Sequence, residues 1–234
     1  MHVGLEGKTI VVTGAAQGVG AAIARTAAEA GAEAVFLTDR AADGLEVTHA
    51  AIAGAGVAAG ALVADLEAPE APGAVIAAAR ARLGRIDALV NAAGLTDRAA
   101  IADATPAEWE RLMAVNARAP FFLMQGAIAD MRARAAPGAI VNMLSMNAHC
   151  GAPELAVYSA TKGALATLTR NAAHAHLSER IRVNGINLGW TETPAETRMQ
   201  AEVLGQGAGW AQAAARTLPL GRLLQPAEAA RLAV

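Results

Sequence analysis

Short runs of β-branched and aliphatic residues alternate along this chain with longer alanine-rich stretches, and that alternation limits the possible folds more than any other feature. The runs T-I-V-V-T (9–13), A-V-F-L-T (34–38), A-L-V-A (61–64), I-D-A-L-V-N (86–91), A-I-V-N-M-L (139–144) and I-R-V-N-G-I-N (181–187) read as strands. Runs this apolar suit strands covered on both faces, and the intervening helical stretches supply the cover as βαβ crossovers. A parallel sheet with helices on both sides follows. One helix start is well signalled at T-P-A-E, residues 105–108, where a threonine cap, a proline at the first helical position and a glutamate set up a capping box. This helix is expected to run to about Arg132, and the recurrence of βα units about every 25 residues is no solenoid repeat.

Composition then narrows the partners. A length of 234 residues suits one α/β domain over residues 1–234, with no linker and a substrate-loop segment at about 189–217. The net charge is −2, with acidic and basic residues interspersed, so no basic face is offered to nucleic acid or to an anionic membrane. The longest uncharged apolar stretch, residues 50–64, is interrupted by Gly54, Gly56 and Gly60 and falls short of the roughly 20 residues that cross a bilayer. It reads as a helix end, a turn and a buried strand. No signal peptide is visible at the N-terminus and the lone Cys150 has no internal partner, which together point to the cytoplasm.

Immediately after the first strand stands T-G-A-A-Q-G-V-G, residues 13–20, followed by a helical stretch. Glycines there let the backbone turn tightly and let a pyrophosphate approach the amides at the helix N-terminus, where the dipole favours anions. After the second strand comes Asp39, placed to accept hydrogen bonds from an adenosine ribose diol and to repel a 2′-phosphate. Arg40 beside it would suit the phosphate, but the glycine loop has no basic residue, so NAD is favoured over NADP.

These glycines, N-A-A-G at 91–94 and Tyr158-x-x-x-Lys162 give the chain its resemblance, over nearly its whole length, to the short-chain dehydrogenase/reductase family. The resemblance implies a doubly wound Rossmann αβα sandwich with strand order 3-2-1-4-5-6, and catalytic residues at Asn116, Ser145, Tyr158 and Lys162. It places cofactor contacts at Gly14, Gln17, Gly18, Val19, Gly20, Asp39, Arg40, Asp65, Leu66, Asn91, Ala92 and Gly94, and further along at Tyr158, Lys162, Gly189, Thr191 and Thr193. Asp65 would meet the adenine and Thr193 the nicotinamide amide. It also implies a homo-oligomer, dimer or tetramer, with helices 105–132 and 154–178 in one interface.

Spacing adds a chemical argument. Residues four apart on a helix share a face, so Lys162 can act on Tyr158, the only tyrosine. A neighbouring cation favours the phenolate, and a drop of roughly 2 to 3 units from a pKa of about 10 would make a usable acid or base near neutral pH. In such a site Ser145 bonds the substrate oxygen, Tyr158 passes its proton, and hydride moves to or from the nicotinamide. By resemblance Lys162 also holds the nicotinamide ribose, and Asn116 positions a water that links the lysine to solvent.

Departures from the family pattern fall at Leu188-Gly189, where proline-glycine is usual, and at N-A-A-G in place of N-N-A-G. The family's seventh strand and tail, about 25 residues, are also expected to be missing, leaving an exposed sheet edge. His149 and Cys150 are too few for a metal site, and His174 and His176 point apart on their helix. The expected reaction is interconversion of a secondary alcohol and a ketone. Segments 95–100, 146–154 and 190–210 would set the substrate, with Met146, His149, Trp190 and Trp210 as apolar surface and Asn147, His149 and Glu192 as partners for hydroxyls. A polyol or sugar-derived alcohol is favoured. The alternatives are an NADPH-dependent 3-oxoacyl thioester reductase and a non-catalytic nucleotide-binding regulator, and Tyr158→Phe separates an enzyme from the latter.

Overall fold

The structure, a computed structural model, describes residues 4–234. The reading of an N-terminus without a leader falls partly on residues 1–3, outside those described. Six strands, β1 (Thr9–Thr13), β2 (Ala34–Asp39), β3 (Ala58–Val63), β4 (Ala88–Asn91), β5 (Gly138–Ser145) and β6 (Ile181–Leu188), form one parallel sheet in the order 3-2-1-4-5-6. Helices α1 (Gly18–Glu29), α2 (Ala42–Gly54) and α3 (Ala71–Leu83) link the first four strands. Between β4 and β5 run α4 (Pro106–Met113) and α5 (Ala119–Ala133), then α6 (Asn147–Cys150) and α7 (Ala156–His176) before β6. After β6 come α8 (Pro194–Arg198), α9 (Trp210–Ala215) and α10 (Pro226–Ala233).

Alternation along buried strands assigns side chains to two cores. Ile10 and Val12 of β1 face the α1, α2 and α10 side with Ile23, Leu37 and Ala230, while Val11 faces the α3, α5 and α7 side with Val75, Leu123 and Leu165. All five residues of β1 are buried, as expected of a central strand with two apolar faces.

Two elements differ from the sequence reading. Strand β3 starts three residues earlier than its apolar run and lies at the sheet edge, half-exposed rather than buried, because register with β2 sets its limits. The helix begun at Thr105 continues to Ala133 but widens to a π-turn over Ala114–Arg118. Pro120 has no N–H to give the Asn116 carbonyl four residues earlier, so the α-helical ladder is interrupted where the candidate asparagine sits. Asp130, only 3% exposed, accepts from the Ile86 amide at 3.0 Å and pairs with Arg80 and Arg134 at 2.9 Å, tying α5 to the turn before β4.

Candidate active site

The cavity lies at the carboxyl ends of the strands, where β1 and β4 diverge to opposite sides, and measures about 660 Å³. Its floor is the turn between β1 and α1. Gly14 has φ +67°, and a Cβ there would come 2.7 Å from Ala93 Cα; a Cβ on Gly20 would collide with the Gly14 carbonyl oxygen. Only glycine allows this packing, and the backbone amides thereby stand open to a diphosphate at the α1 N-terminus. Thr13 Oγ1 accepts from the amides of Ala92 and Ala93 at 3.1 Å each, joining the turn after β4 to the end of β1.

Asp39 ends β2 on the cavity wall. Its Oδ2 accepts from Ala16 N and its Oδ1 from Ala41 N, both at 3.0 Å, so the carboxylate is fixed beside the glycine turn. Gln17, Gly18, Val19, Arg40, Asp65, Leu66, Ala92 and Gly94 line the same cavity, as do Gly189, Thr191 and Thr193 across from them. Thr193 approaches Gly18 so closely that a Cβ there would lie 3.3 Å from its Cγ2. Asn91 is different: its side chain is buried and donates to Asn142 Oδ1 at 2.8 Å, bracing β4 against β5 instead of facing the cavity. A glycine cradle of this shape fits the diphosphate of a dinucleotide, and Asp39 fits its adenosine ribose.

Ser145 ends β5, and Tyr158 lies in the first turn of α7, close enough for the serine hydroxyl to act on the phenol. Lys162, one turn on, is buried; its Nζ donates to Met143 O at 2.8 Å and stands 5.8 Å from the Tyr158 ring centroid. This geometry corrects the expected acidity. Burial pushes the Tyr158 phenol above its usual pKa, the Ser145 bond pulls it down, Glu196 pushes it up and Arg98 pulls it down. The lysine Nζ is engaged with the Met143 carbonyl, and burial lowers its own pKa to about 8. Spacing on a helix could not report either burial.

Asn116 is fully buried behind the cavity wall. Its Oδ1 accepts from Leu95 N at 2.8 Å and its Nδ2 donates to Leu95 O at 2.9 Å and Thr161 Oγ1 at 3.1 Å. It thus clamps the loop after β4 onto α7, and a Cβ on Gly94 would lie 3.4 Å from its Oδ1 and 3.5 Å from Lys162 Nζ.

The substrate end departs furthest from the sequence reading. Met146, Asn147 and Trp190 line the cavity, whereas Glu192 is turned to Gln225 at 2.9 Å, His149 is exposed and bonds Asn187, and Trp210 is buried behind Trp190 with ring centroids 6.0 Å apart. In their stead stand Arg98, Glu196 and Gln200. Glu196 Oε1 accepts from Arg98 at 3.0 Å, Trp190 Nε1 at 3.0 Å and Gln200 Nε2 at 2.7 Å. One signal was available: T-P-A-E at 105–108 recurs at 193–196. Among the described residues no group of three or more His, Cys, Asp or Glu side chains is placed to hold a metal ion.

A glycine cradle on a doubly wound sheet, opening beside serine and tyrosine hydroxyls and a buried lysine, defines a dinucleotide-dependent oxidoreductase. The comparisons carry this to a family. Residues 8–204 match the short chain dehydrogenase family. Gluconate 5-dehydrogenase of Gluconobacter oxydans is 33% identical over 85% of this chain and 77% of its own length. Sorbitol dehydrogenase of Cereibacter sphaeroides is 36% identical over 78% of this chain and 70% of its own. L-sorbose reductase of Gluconobacter frateurii, solved with NADPH and L-sorbose, superposes with a TM-score of 0.92 at 31% identity, covering 99% of this chain and 90% of that one. The chain belongs to the short-chain dehydrogenase/reductase family. It is an NAD(P)-dependent oxidoreductase acting on a small molecule.

Proposed function

We propose that this enzyme interconverts a secondary hydroxyl of a polyol or sugar-derived alcohol and the corresponding ketone, with NAD as its cofactor. The observation that carries the reading is the convergence of Ser145, Tyr158 and Lys162 on the cavity floored by the glycine turn. Similarity to gluconate 5-dehydrogenase, sorbitol dehydrogenase and L-sorbose reductase supports the substrate class. The glycine turn and Asp39 would hold the cofactor, whose nicotinamide would supply or accept the hydride at the carbon that bears the substrate oxygen.

The protein's own groups handle the oxygen and its proton. Ser145 Oγ holds the substrate oxygen, and the Tyr158 hydroxyl gives its proton to that oxygen in reduction and takes it back in oxidation. With Tyr158 raised by burial and Lys162 at about 8, the neutral-pH state is a protonated phenol beside a protonated amine, poised to donate. Ketone reduction is therefore expected to be level below about pH 8 and to fall above it as Lys162 loses its charge. Lys162 also holds the nicotinamide ribose, and Asn116 keeps the wall behind it in place.

Asp39 supports NAD, since its fixed carboxylate bonds a ribose diol and repels a 2′-phosphate. Arg40 on the same wall favours the second reading, an NADPH-dependent reductase of the kind that reduces 3-oxoacyl thioesters. Titrating the protein with NADH and NADPH in parallel, by nicotinamide fluorescence, separates the two. Tighter NADH with oxidation of polyols by NAD⁺ supports the first reading; tighter NADPH overturns the cofactor assignment. The same reading has the chain as one cytoplasmic domain that assembles through α4, α5 and α7. Exposed Phe121, beside an apolar groove with Met113 and Leu168, supports that face, and sedimentation of the pure protein tests it.

A further inference from the structure

Beyond the reacting end, the cavity wall holds a cluster that no part of the hydride chemistry needs. Arg98 donates to Thr96 O at 2.8 Å and to Glu196 at 3.0 Å, but its Nε is buried without a partner. Gln200, 3% exposed, donates to Glu196 at 2.7 Å, and its Oε1 is likewise buried without a partner. Each orphaned group carries an unrepaid desolvation cost. The cluster is also firmly mounted: Asp97 pairs with Arg111 at 2.9 Å, Ala99 N donates to Glu154 O at 3.0 Å, and Asn116 clamps Leu95.

The contrast between two identical tetrapeptides shows how far Glu196 is diverted. In the first T-P-A-E, Glu108 accepts from Thr105 N at 2.8 Å and closes a solvated capping box. In the second, Thr193 still caps through the Glu196 amide at 3.2 Å, but the Glu196 carboxylate serves Arg98, Trp190 and Gln200 instead. A glutamate gives up its local helix cap for the cavity wall, with the cation already neutralised.

We infer that Arg98, Glu196 and Gln200 form the subsite for substrate hydroxyls away from the reacting carbon, and that the ion pair within it selects uncharged polyols over sugar acids. The orphans are one donor and one acceptor on side chains of the cavity wall, and a hydroxyl is the substrate group able to meet either. A carboxylate only accepts, and it would bring a second negative charge to Glu196; an alkyl group answers neither. The subsite sits close enough to the proton-transfer group for both charges to act on Tyr158. This inference rests on the polyol reading above.

The test compares D-sorbitol with D-gluconate, which differ at one end of a six-carbon chain, and cyclohexanol as a hydroxyl-poor control. Specificity is read as kcat/KM, or as the competitive inhibition constant where there is no turnover, with NADH binding as the check on folding. The native enzyme should favour sorbitol over gluconate at least tenfold. Glu196→Gln should shift that ratio toward gluconate by tenfold or more, and Arg98→Gln should shift it the other way. Opposite signs at one pair are not a generic effect of a damaged fold. Gln200→Leu, which changes no charge but removes a bond to Glu196, should raise KM for sorbitol severalfold and KM for cyclohexanol much less. Sorbitol turnover with a ratio that neither charge variant moves, or that both move alike, overturns the subsite alone. Turnover of cyclohexanol only, or of none of the three, overturns the polyol reading and the subsite with it.

Discussion

The T-P-A-E at the start of α4 and the T-P-A-E at the start of α8 have the same four residues and the same threonine cap, yet one glutamate faces water and the other is 9% exposed beneath the cavity wall. Local sequence decides the cap, because threonine needs only the amide three residues on. The surroundings decide the glutamate: at α8 a guanidinium, an indole N–H and a side-chain amide all point to it. The first copy belongs to the scaffold and should govern stability. The second belongs to the site and should govern substrate recognition.

That division can be broken at several points. Tyr158→Phe removes only a hydroxyl from the cavity, and turnover should fall about a thousandfold while NADH affinity and melting temperature hold. Measurable turnover near the native rate would place proton transfer elsewhere. Glu196→Ala leaves Arg98 uncompensated and should lower kcat/KM for the best polyol about 30- to 100-fold, whereas Glu108→Ala should leave kinetics unchanged. Equal kinetic effects of the two would mean that both glutamates serve the scaffold alone or the site alone.

Lys162→Met crosses the boundary, abolishing turnover while stabilising the cofactor-free protein. The buried amine's pKa of about 8 lies below its unfolded value, so the folded state binds fewer protons between about pH 8 and 10.5 and native stability rises with pH there. Below about pH 8 the full cost of burying the charge is present. Offset by the lost bond to Met143, the variant should gain about 2 kcal/mol at pH 7, and the gain should shrink toward pH 10 in urea melts. Asp39→Ser should lower the preference for NAD over NADP about tenfold, read from paired titrations. Smallest of all, Thr105→Ala should cost about 1 kcal/mol in urea unfolding with no kinetic effect.

The parts legible in the sequence are those that act through backbone shape or through one helix turn. Glycines 14, 18 and 20 announce a cradle because no other residue fits there, and apolar runs give the sheet its number of strands and its parallel sense. What escaped needed distant partners. Arg98 and Glu196 are 98 positions apart, and the T-P-A-E around Glu196 signals a helix cap, not a guanidinium partner. The π-turn had a readable cause in Pro120, four residues after Asn116. The acidity of Tyr158 did not, since the spacing to Lys162 says nothing about how deeply both are buried or that Met143 holds the amine.

Thr13 carries a consequence for the order of assembly. Its hydroxyl collects two amides from a turn about 80 residues later in the chain, so the cradle is complete only once β1 and β4 have paired. A nascent chain that has not yet released residue 93 holds the glycine turn and Asp39 but lacks the two amides that tie β4 to them. Cofactor should therefore stabilise late species of the folding reaction and the finished protein more than the early βαβ units that begin it.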